Sequence, residues 1–471
     1  MESLGLKGLV INGDTIHDAQ VQGEDIWSRA QTEPSMVFLA PEQLISDGFK
    51  TLAKEDSEFA ERICVIAVDE AHLLNTWGRS WRKAFMQIGW VRMRFNNVTM
   101  IALTATLRGG KHLEAVCQFL GFHRGQFHLI RRSNSCPEVQ ILLQTMYSGI
   151  GGKKFPELDW VLREKRKTLI FCRTINLGWR LFEYLCGQPS DVVDVEKHIR
   201  LYNSLNWPEF NNQTRKWMEE DPACLIAIGT DTMSVGVDIS TVEDILILAE
   251  PEDADDFVQK AGRPGRNREV VSDAHAILYL PQGSEGRAKR IIEAEETNNS
   301  NLLRKGDTMD ISLARLVIAA CKMDELDKQY DNPVQEDPCT CRGCLAHPRM
   351  QRRDPCNCSG CVPEKIRAPA FSKKSGKNTK SKIPQGQRLT RPMRKLGTKH
   401  LLAFRKMLFD RGDETLTGML PDVVFFPDTD IKATLDCFAL LNSEEALTTL
   451  LRHNSYINNH FKHLFTVVEE L

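Results

Sequence analysis

Two adjacent carboxylates, Asp69 and Glu70, open the tetrad Asp69-Glu70-Ala71-His72 directly after the apolar run Ile63–Val68. A short β-branched run between polar residues reads as a strand buried on both faces. The C-terminal end of such a strand is where α/β folds hold ligands. There Asp69 is suited to a Mg²⁺ on a nucleotide phosphate, and Glu70 to orienting and deprotonating an attacking water. A second run, Val98–Leu103, ends in Thr104-Ala105-Thr106. Further on, Gln259-Lys260-Ala261-Gly262-Arg263-Pro264-Gly265-Arg266 sets two arginines three apart among small residues, and two guanidinium forks fit a triphosphate. Singly, the tetrad also fits a solvated loop and the arginines a basic surface turn. All three in this order favour the chemical reading.

The elements that must position these residues follow from periodicity. Short apolar runs recur at Met36–Ala40, Ile63–Val68, Val98–Leu103, Thr168–Cys172, Cys224–Ile228, Ile245–Ala249 and Ala274–Leu280. Helix-period stretches such as Trp179–Leu185 and Asn211–Glu219 lie between them. Such alternation predicts parallel α/β sheets, with length enough for two lobes dividing near Gly149–Gly152. Beyond residue 286 the pattern turns helical, at Gly286–Glu296 and Ser312–Lys322, and a cysteine cluster follows. The expected layout is a partial first lobe at 1–148, a second lobe at 149–285, and a helical, cysteine-rich subdomain at 286–363. A basic linker at 364–398 and a C-terminal helical region at 399–471 complete it.

Composition bounds the reading. The 471 residues are 42% hydrophobic and 26% charged, which excludes a wholly disordered chain. No run of about 18 apolar residues occurs, so no membrane-spanning helix is expected. Met1–Val10 lacks the order of a secretory signal, and an intracellular, soluble protein is expected. The net charge of −2 hides an asymmetry: residues 365–411 hold fifteen Lys and Arg against the single acid Asp410. Such a segment suits a polyanionic partner, adding sequence-independent affinity that falls with salt, although its part Phe371–Pro384 alone reads as a solvated linker.

Six of the fourteen cysteines fall within 339–361, in a repeat: Asp337-Pro-Cys-Thr-Cys-Arg-Gly-Cys344 returns as Asp354-Pro-Cys-Asn-Cys-Ser-Gly-Cys361. Clustered thiols in polar, Pro/Gly-rich sequence point to a metal site, whereas the eight scattered cysteines read as reduced core thiols.

With these motifs in order, the chain resembles a superfamily 2 helicase, and further residues make it resemble the RecQ type of DNA helicase. Ala40-Pro41-Glu42-Gln43-Leu44, Leu169-Ile170-Phe171-Cys172-Arg173-Thr174 and Thr230-Asp231-Thr232-Met233-Ser234-Val235-Gly236-Val237-Asp238 fit motifs of that family. Trp77-Gly78-Arg79-Ser80-Trp81-Arg82-Lys83-Ala84-Phe85 occupies the place of the family's aromatic-rich loop, which senses single-stranded DNA. Physically, Trp77 and Trp81 offer stacking faces and Arg79, Arg82 and Lys83 attract phosphates; core aromatics beside a solvated basic face are the alternative.

The resemblance covers residues 1 to about 345. It implies two RecA-like lobes with ATP and Mg²⁺ between them, acting on single-stranded and duplex DNA, 3′ to 5′, in recombination and repair in the nucleus. Asp69, Glu70, His72, Arg263 and Arg266 would form the catalytic set, joined at the nucleotide by Gly236 and Asp238. Thr104, Thr106, Gln259 and Gly262 would couple nucleotide state to lobe closure, and Arg173 and Thr230 would touch DNA. The family also carries a zinc subdomain, whose layout Cys321, Cys339, Cys341 and Cys344 match apart from spacing. Cys356, Cys358 and Cys361 supply a second copy, leaving one zinc, two, or a shared cluster open. His347 reads as a surface residue.

One family element has no match: the phosphate loop Gly-x-x-x-x-Gly-Lys-Ser/Thr. The opening Leu4–Asn12 resembles the stretch just downstream of it, so the loop is expected ahead of Met1, in an N-terminally truncated helicase whose first lobe lacks a central strand. The competing reading is a shortened, non-hydrolysing DNA-binding or interaction protein. An RNA helicase of the Asp-Glu-Ala-His type is disfavoured by the Trp-rich loop and the trailing cysteines.

Overall fold

The computed structural model describes residues 5–54, 57–75, 85, 87–188, 195–234, 239–335, 340, 345–346, 352–362, 387–413, 417, 420–452 and 454–470. The chain folds as two compact units, Met1–Ser135 with Leu326–Cys339, and Cys136–Glu325 with Thr340–Leu471.

In the first unit, β1 (Gly8–Ile11) pairs in parallel with β2 (Met36–Leu39), and β3 (Val65–Val68) with β4 (Thr99–Ala102). These are two separate ladders, and no strand joins them among the described residues. Each buries one face in its own cluster: Ile11, Ala19, Ile26, Ala30 and Leu52 for the first, Val68, Ala71, Leu74, Ile88, Val116 and Leu120 for the second. The segment after Leu326 returns to this unit. Tyr330 O accepts from Arg131 Nη1 at 2.5 Å, and Asn332 Nδ2 donates to Asn134 Oδ1 at 3.0 Å.

The second unit is built on a six-stranded parallel sheet of β5 (Val139–Met146), β6 (Thr168–Cys172), β7 (Ile199–Tyr202), β8 (Ile226–Gly229), β9 (Asp244–Leu248) and β10 (Ala274–Pro281). Their spatial order is β5-β10-β9-β6-β8-β7. Central strands such as β6 and β9 are buried at every position, as a parallel sheet covered on both faces requires. At the N-terminal ends of β9 and β10 the buried Asp244 takes a bidentate pair from Arg166, at 2.7 and 2.9 Å, and shares a 2.8 Å hydrogen bond with His275 Nδ1. Burial alone would raise this carboxyl. The bonds to His275 and Arg166 outweigh it and hold the pKa below the ordinary value.

Three strands escape the apolar-run pattern. β1 begins on glycine, β5 carries Gln140 and Gln144, and β7 carries Arg200, whose guanidinium is buried between the rings of Phe210 (3.8 Å) and Trp217 (4.6 Å). Because β5 pairs with β10, the chain changes unit at Ser135 and Cys136, ahead of the Gly149–Gly152 stretch where sequence puts the division. The C-terminal helices are not a separate body either. Helix Arg391–Asp410 and the segment that follows it bury Leu401, Phe404, Phe426, Leu447 and Leu464 in one cluster with Ile170, Leu181, Ile228 and Leu246 of the second lobe.

The stretch Ser312–Lys322 also differs from its reading as one helical segment. Helix Ile311–Ile318 stops, and a new helix starts at Lys322. Gly360 lies against the break so closely that a Cβ there would stand 2.1 Å from Ala320 O. Among the described residues, no helix is long and apolar enough to cross a membrane.

Candidate helicase motifs and metal centre

In the first unit the parallel register of β3 and β4 brings the tetrad beside Thr104-Ala105-Thr106. Leu103 N donates to Val68 O at 2.8 Å, and Ala71 N returns to Leu103 O at 2.9 Å. Asp69 and Glu70 are exposed at the strand end, with the Asp69 carboxylate fixed by the Glu70 N–H at 2.9 Å. Glu70 has φ of 50°, a left-handed conformation uncommon for a residue other than glycine. Strain of this kind is found where function dictates backbone direction. The imidazole of His72 is buried; its Nδ1 lies 2.9 Å from Thr104 Oγ1 and 3.3 Å from Glu70 Oε2. Thr104 Oγ1 in turn accepts from Thr106 N at 3.3 Å. One ring thus links the tetrad to the second motif.

In the second unit, helix Ala254–Ala261 is capped by Asp253, which accepts from Asp256 N at 2.9 Å. It ends at Gly262 and delivers half-buried Arg263 and exposed Arg266 on the turn that follows. Gly265 makes that turn at φ of +69°, its amide donating to Val242 O at 3.0 Å. Gln259 is half-buried on the same helix. Arg173 is exposed just past β6, where Thr174 caps helix Ile175–Cys186, and Thr230 follows β8.

Lys260 is absent from the sequence-derived set, yet it ties these motifs together. It is 5% exposed and pairs with Asp256 at 2.6 Å and Asp231 at 2.8 Å, with its ammonium 5.7 Å from the Phe171 ring centroid. Burial opposes the charge, but Asp256 and Asp231 outweigh it and raise the pKa above that of an ordinary lysine. The only hint in sequence is the Asp256–Lys260 spacing of four.

Trp77, Arg79, Trp81, Arg82, Lys83, Gly236 and Asp238 lie outside the described residues, as do Cys339, Cys341, Cys344 and His347. Among the described residues, Cys321 is joined by the second copy of the repeat. The Sγ atoms of Cys321, Cys356, Cys358 and Cys361 lie within 4.8 Å of one another, Cys321 and Cys356 at 3.7 Å. A tetrahedron with metal–sulfur bonds of about 2.3 Å has edges of about 3.8 Å, so the donor set fits one closed ion.

The helix break makes this geometry. Lys322 N donates to Cys358 Sγ at 3.3 Å and Asp324 N to Cys321 Sγ at 3.5 Å, so the new helix turns its first N–H groups toward sulfur. Lys322 Nζ meanwhile caps the carbonyls of Val317 and Ala319 that the broken helix leaves over, at 2.8 and 2.7 Å. Burial would raise the Cys358 thiol; N–H donors from Lys322, Cys361 and Gly360 outweigh it and bring the pKa down to about 7. By contrast, burial pushes the core thiols Cys172 and Cys224 up, to about 12 and about 11.

The cysteine loop docks on edge strand β5. Ser359 N donates to Ile141 O and Leu143 N to Ser359 Oγ, both at 3.0 Å, covering a sheet edge that would otherwise be open.

The helicase conserved C-terminal domain matches residues 153–268. The RecQ-like DNA helicase BLM of Xenopus laevis is 21% identical over 276 residues, which is 56% of this chain and 18% of that one. The ATP-dependent DNA helicase RecQ of Haemophilus influenzae is 22% identical over 299 residues, 63% of this chain and 44% of that one. The ATP-dependent DNA helicase Q1 of Pongo abelii is 22% identical over 347 residues, 69% and 48%. The matched part spans less than half the length of each of these relatives. A DNA-bound helicase MrfA structure is matched at 17% identity with a TM-score of 0.46, a likeness too slight to carry weight of its own. The chain thus carries a match to the helicase conserved C-terminal domain and is similar, at low identity, to RecQ-type DNA helicases.

Proposed function

We infer that the protein acts as an ATP-dependent DNA helicase of RecQ type, moving 3′ to 5′ on single-stranded DNA and separating duplex in recombination or repair, in the nucleus. The observation that carries this reading is the Glu70–His72–Thr104 linkage at the end of β3 and β4. Glu70 is the general base for the water that attacks the γ-phosphate of ATP. Asp69, exposed and fixed by a backbone N–H, offers a single carboxylate contact to the Mg²⁺ that ATP brings. His72 transmits the state of Glu70 to Thr104 and Thr106. Arg263 and Arg266 neutralise charge developing on the γ-phosphate. Lys260 holds the Arg263 helix to Asp231, beside the DNA-facing Thr230, and is a positioning residue.

Zn²⁺ is the ion that four thiolates select for a closed structural site, and Cys321, Cys356, Cys358 and Cys361 would hold it. Its contribution is to lock the edge of the second lobe. On this reading the first lobe ends before Cys136, and the second lobe includes the cysteine loop and the C-terminal helices, as the two compact units and the shared core support.

Strand separation of duplexes bearing a 3′ or a 5′ tail, with DNA or RNA as the tail, tests the reading. ATP-dependent separation of the 3′-tailed DNA duplex is expected; separation led by RNA, or by the 5′ tail alone, would overturn the assignment.

A further inference from the structure

Helix Arg391–Asp410 is anchored on one side only. Leu401, Phe404 and Leu408 are buried in the second lobe's cluster, and the buried Arg405 is spent on Phe426 O and Asp428. Arg394 pairs with Asp436. The four remaining basic residues before its last turn, Arg391, Lys395, Lys399 and Lys406, are all exposed, and none makes an ion pair among the described residues.

Their spacing sorts them. At 3.6 residues per turn these four fall within about 80° of arc, turned away from the buried face, and span about 22 Å along the axis. Successive members from Arg391 to Lys399 are one turn, about 6 Å, apart. Asp410, the helix's only acid, lies at its far end.

The arrangement works against the helix itself. Arg391, Arg394 and Lys395 load the positive end of the macrodipole, no acid stands in the first turn, and Thr390 makes no side-chain cap. Arg391, Lys395 and Lys399 are like charges at four-residue spacing, which repel. A sequence that breaks several local rules on one face, while packing the other face well, points to a task for that face.

We propose that the exposed face of helix Arg391–Asp410 is a polyanion-binding ridge that holds the phosphodiester backbone of a nucleic-acid strand, independent of sequence and of the helicase motifs. Spaced ammonium and guanidinium groups on a rigid rod match a chain of phosphates and read no bases. The lobe core fixes the rod, so a strand held on it is carried with the second lobe. ATP hydrolysis plays no part in this, so the site stands or falls separately from the enzymatic reading.

The test is binding of labelled oligo-dT and oligo-rU of equal length to the full chain, without nucleotide, across a salt series. The wild type is compared with a variant carrying Arg391→Gln, Lys395→Gln, Lys399→Gln and Lys406→Gln. Removing four phosphate contacts is expected to flatten the slope of log affinity against log salt by about 2.8, and the pair Lys399→Gln, Lys406→Gln by about 1.4. Neutralisation relieves repulsion, so the variants are expected to melt no lower than wild type. Loss for one oligonucleotide alone retains the ridge and names its strand type. Unchanged slopes for both would overturn the proposal, as would unchanged slopes with lost binding to phosphatidylserine vesicles, which would make the ridge a membrane contact.

Discussion

Every residue of β6, β8 and β9 is buried, whereas β2 and β4 alternate between exposed and half-buried positions. Strands of near-identical composition, Val65-Ile-Ala-Val68 in the first unit and Ile226-Ala-Ile-Gly229 in the second, therefore meet different surroundings. In the second unit helices cover both faces of a six-stranded sheet, the cysteine loop closes one edge, and the C-terminal helices extend the core. In the first unit two short ladders each bury one face, and Val10 (48% exposed), Phe38 (42%), Val65 (51%) and Ile101 (42%) lie on the other. Apolar composition specifies a strand; the neighbours that cover it decide how much stability the strand returns.

The comparison is broken most completely at the metal centre. Purified without chelator, the protein is expected to carry about one zinc per chain, lost in Cys358→Ser and kept in Cys341→Ser. Metal retained in the first variant and lost in the second would assign the site to the other copy of the repeat.

Asp244→Asn tests the buried polar anchor of the second unit. It leaves Arg166 and His275 without their shared carboxylate, and a loss of about 3–5 kcal/mol is expected in denaturant titration. The pH dependence follows from the depressed carboxyl: its contribution is full above the ordinary carboxylate pKa of about 3.9 and disappears as pH falls through the lower folded value. The wild type should therefore lose this increment below about pH 4, and Asp244→Asn should not.

Packing gives the sharpest contrast between the units. Phe426→Ala removes a fully buried ring that stands edge-on to Phe404 at 5.6 Å, and should cost about 3–5 kcal/mol. Val65→Thr, on the open face of β3, should change stability by less than about 0.5 kcal/mol. A large effect at Val65 would mean that this face is covered in solution.

The second lobe was the most legible part of the chain, because β-branched runs with helical periodicity between them specify a parallel sheet. β5 and β7 were not, since Gln140 and Arg200 are polar by type and buried by context. The Asp-Glu-Ala-His tetrad and the paired arginines are readable as short words at strand and helix ends, but Lys260 is not: its ion pair depends on Asp231, distant in sequence. The choice between the two cysteine repeats was closed to sequence because both read alike. Ser359, bonded to Ile141 and Leu143 of an edge strand that no apolar run marks, seats the second copy. The helix break at Ala319–Cys321 likewise depends on the close approach of Gly360.

The central claim, that Glu70 at the end of β3 is the base of a DNA-driven ATPase, is tested most directly by ATP hydrolysis of the full chain with and without single-stranded DNA, beside Glu70→Gln. DNA-stimulated turnover is expected in the wild type and a loss of about 10²–10⁴-fold in the variant, with DNA binding retained. A folded wild-type chain that binds DNA and hydrolyses no ATP, or a Glu70→Gln chain that turns over undiminished, would contradict it.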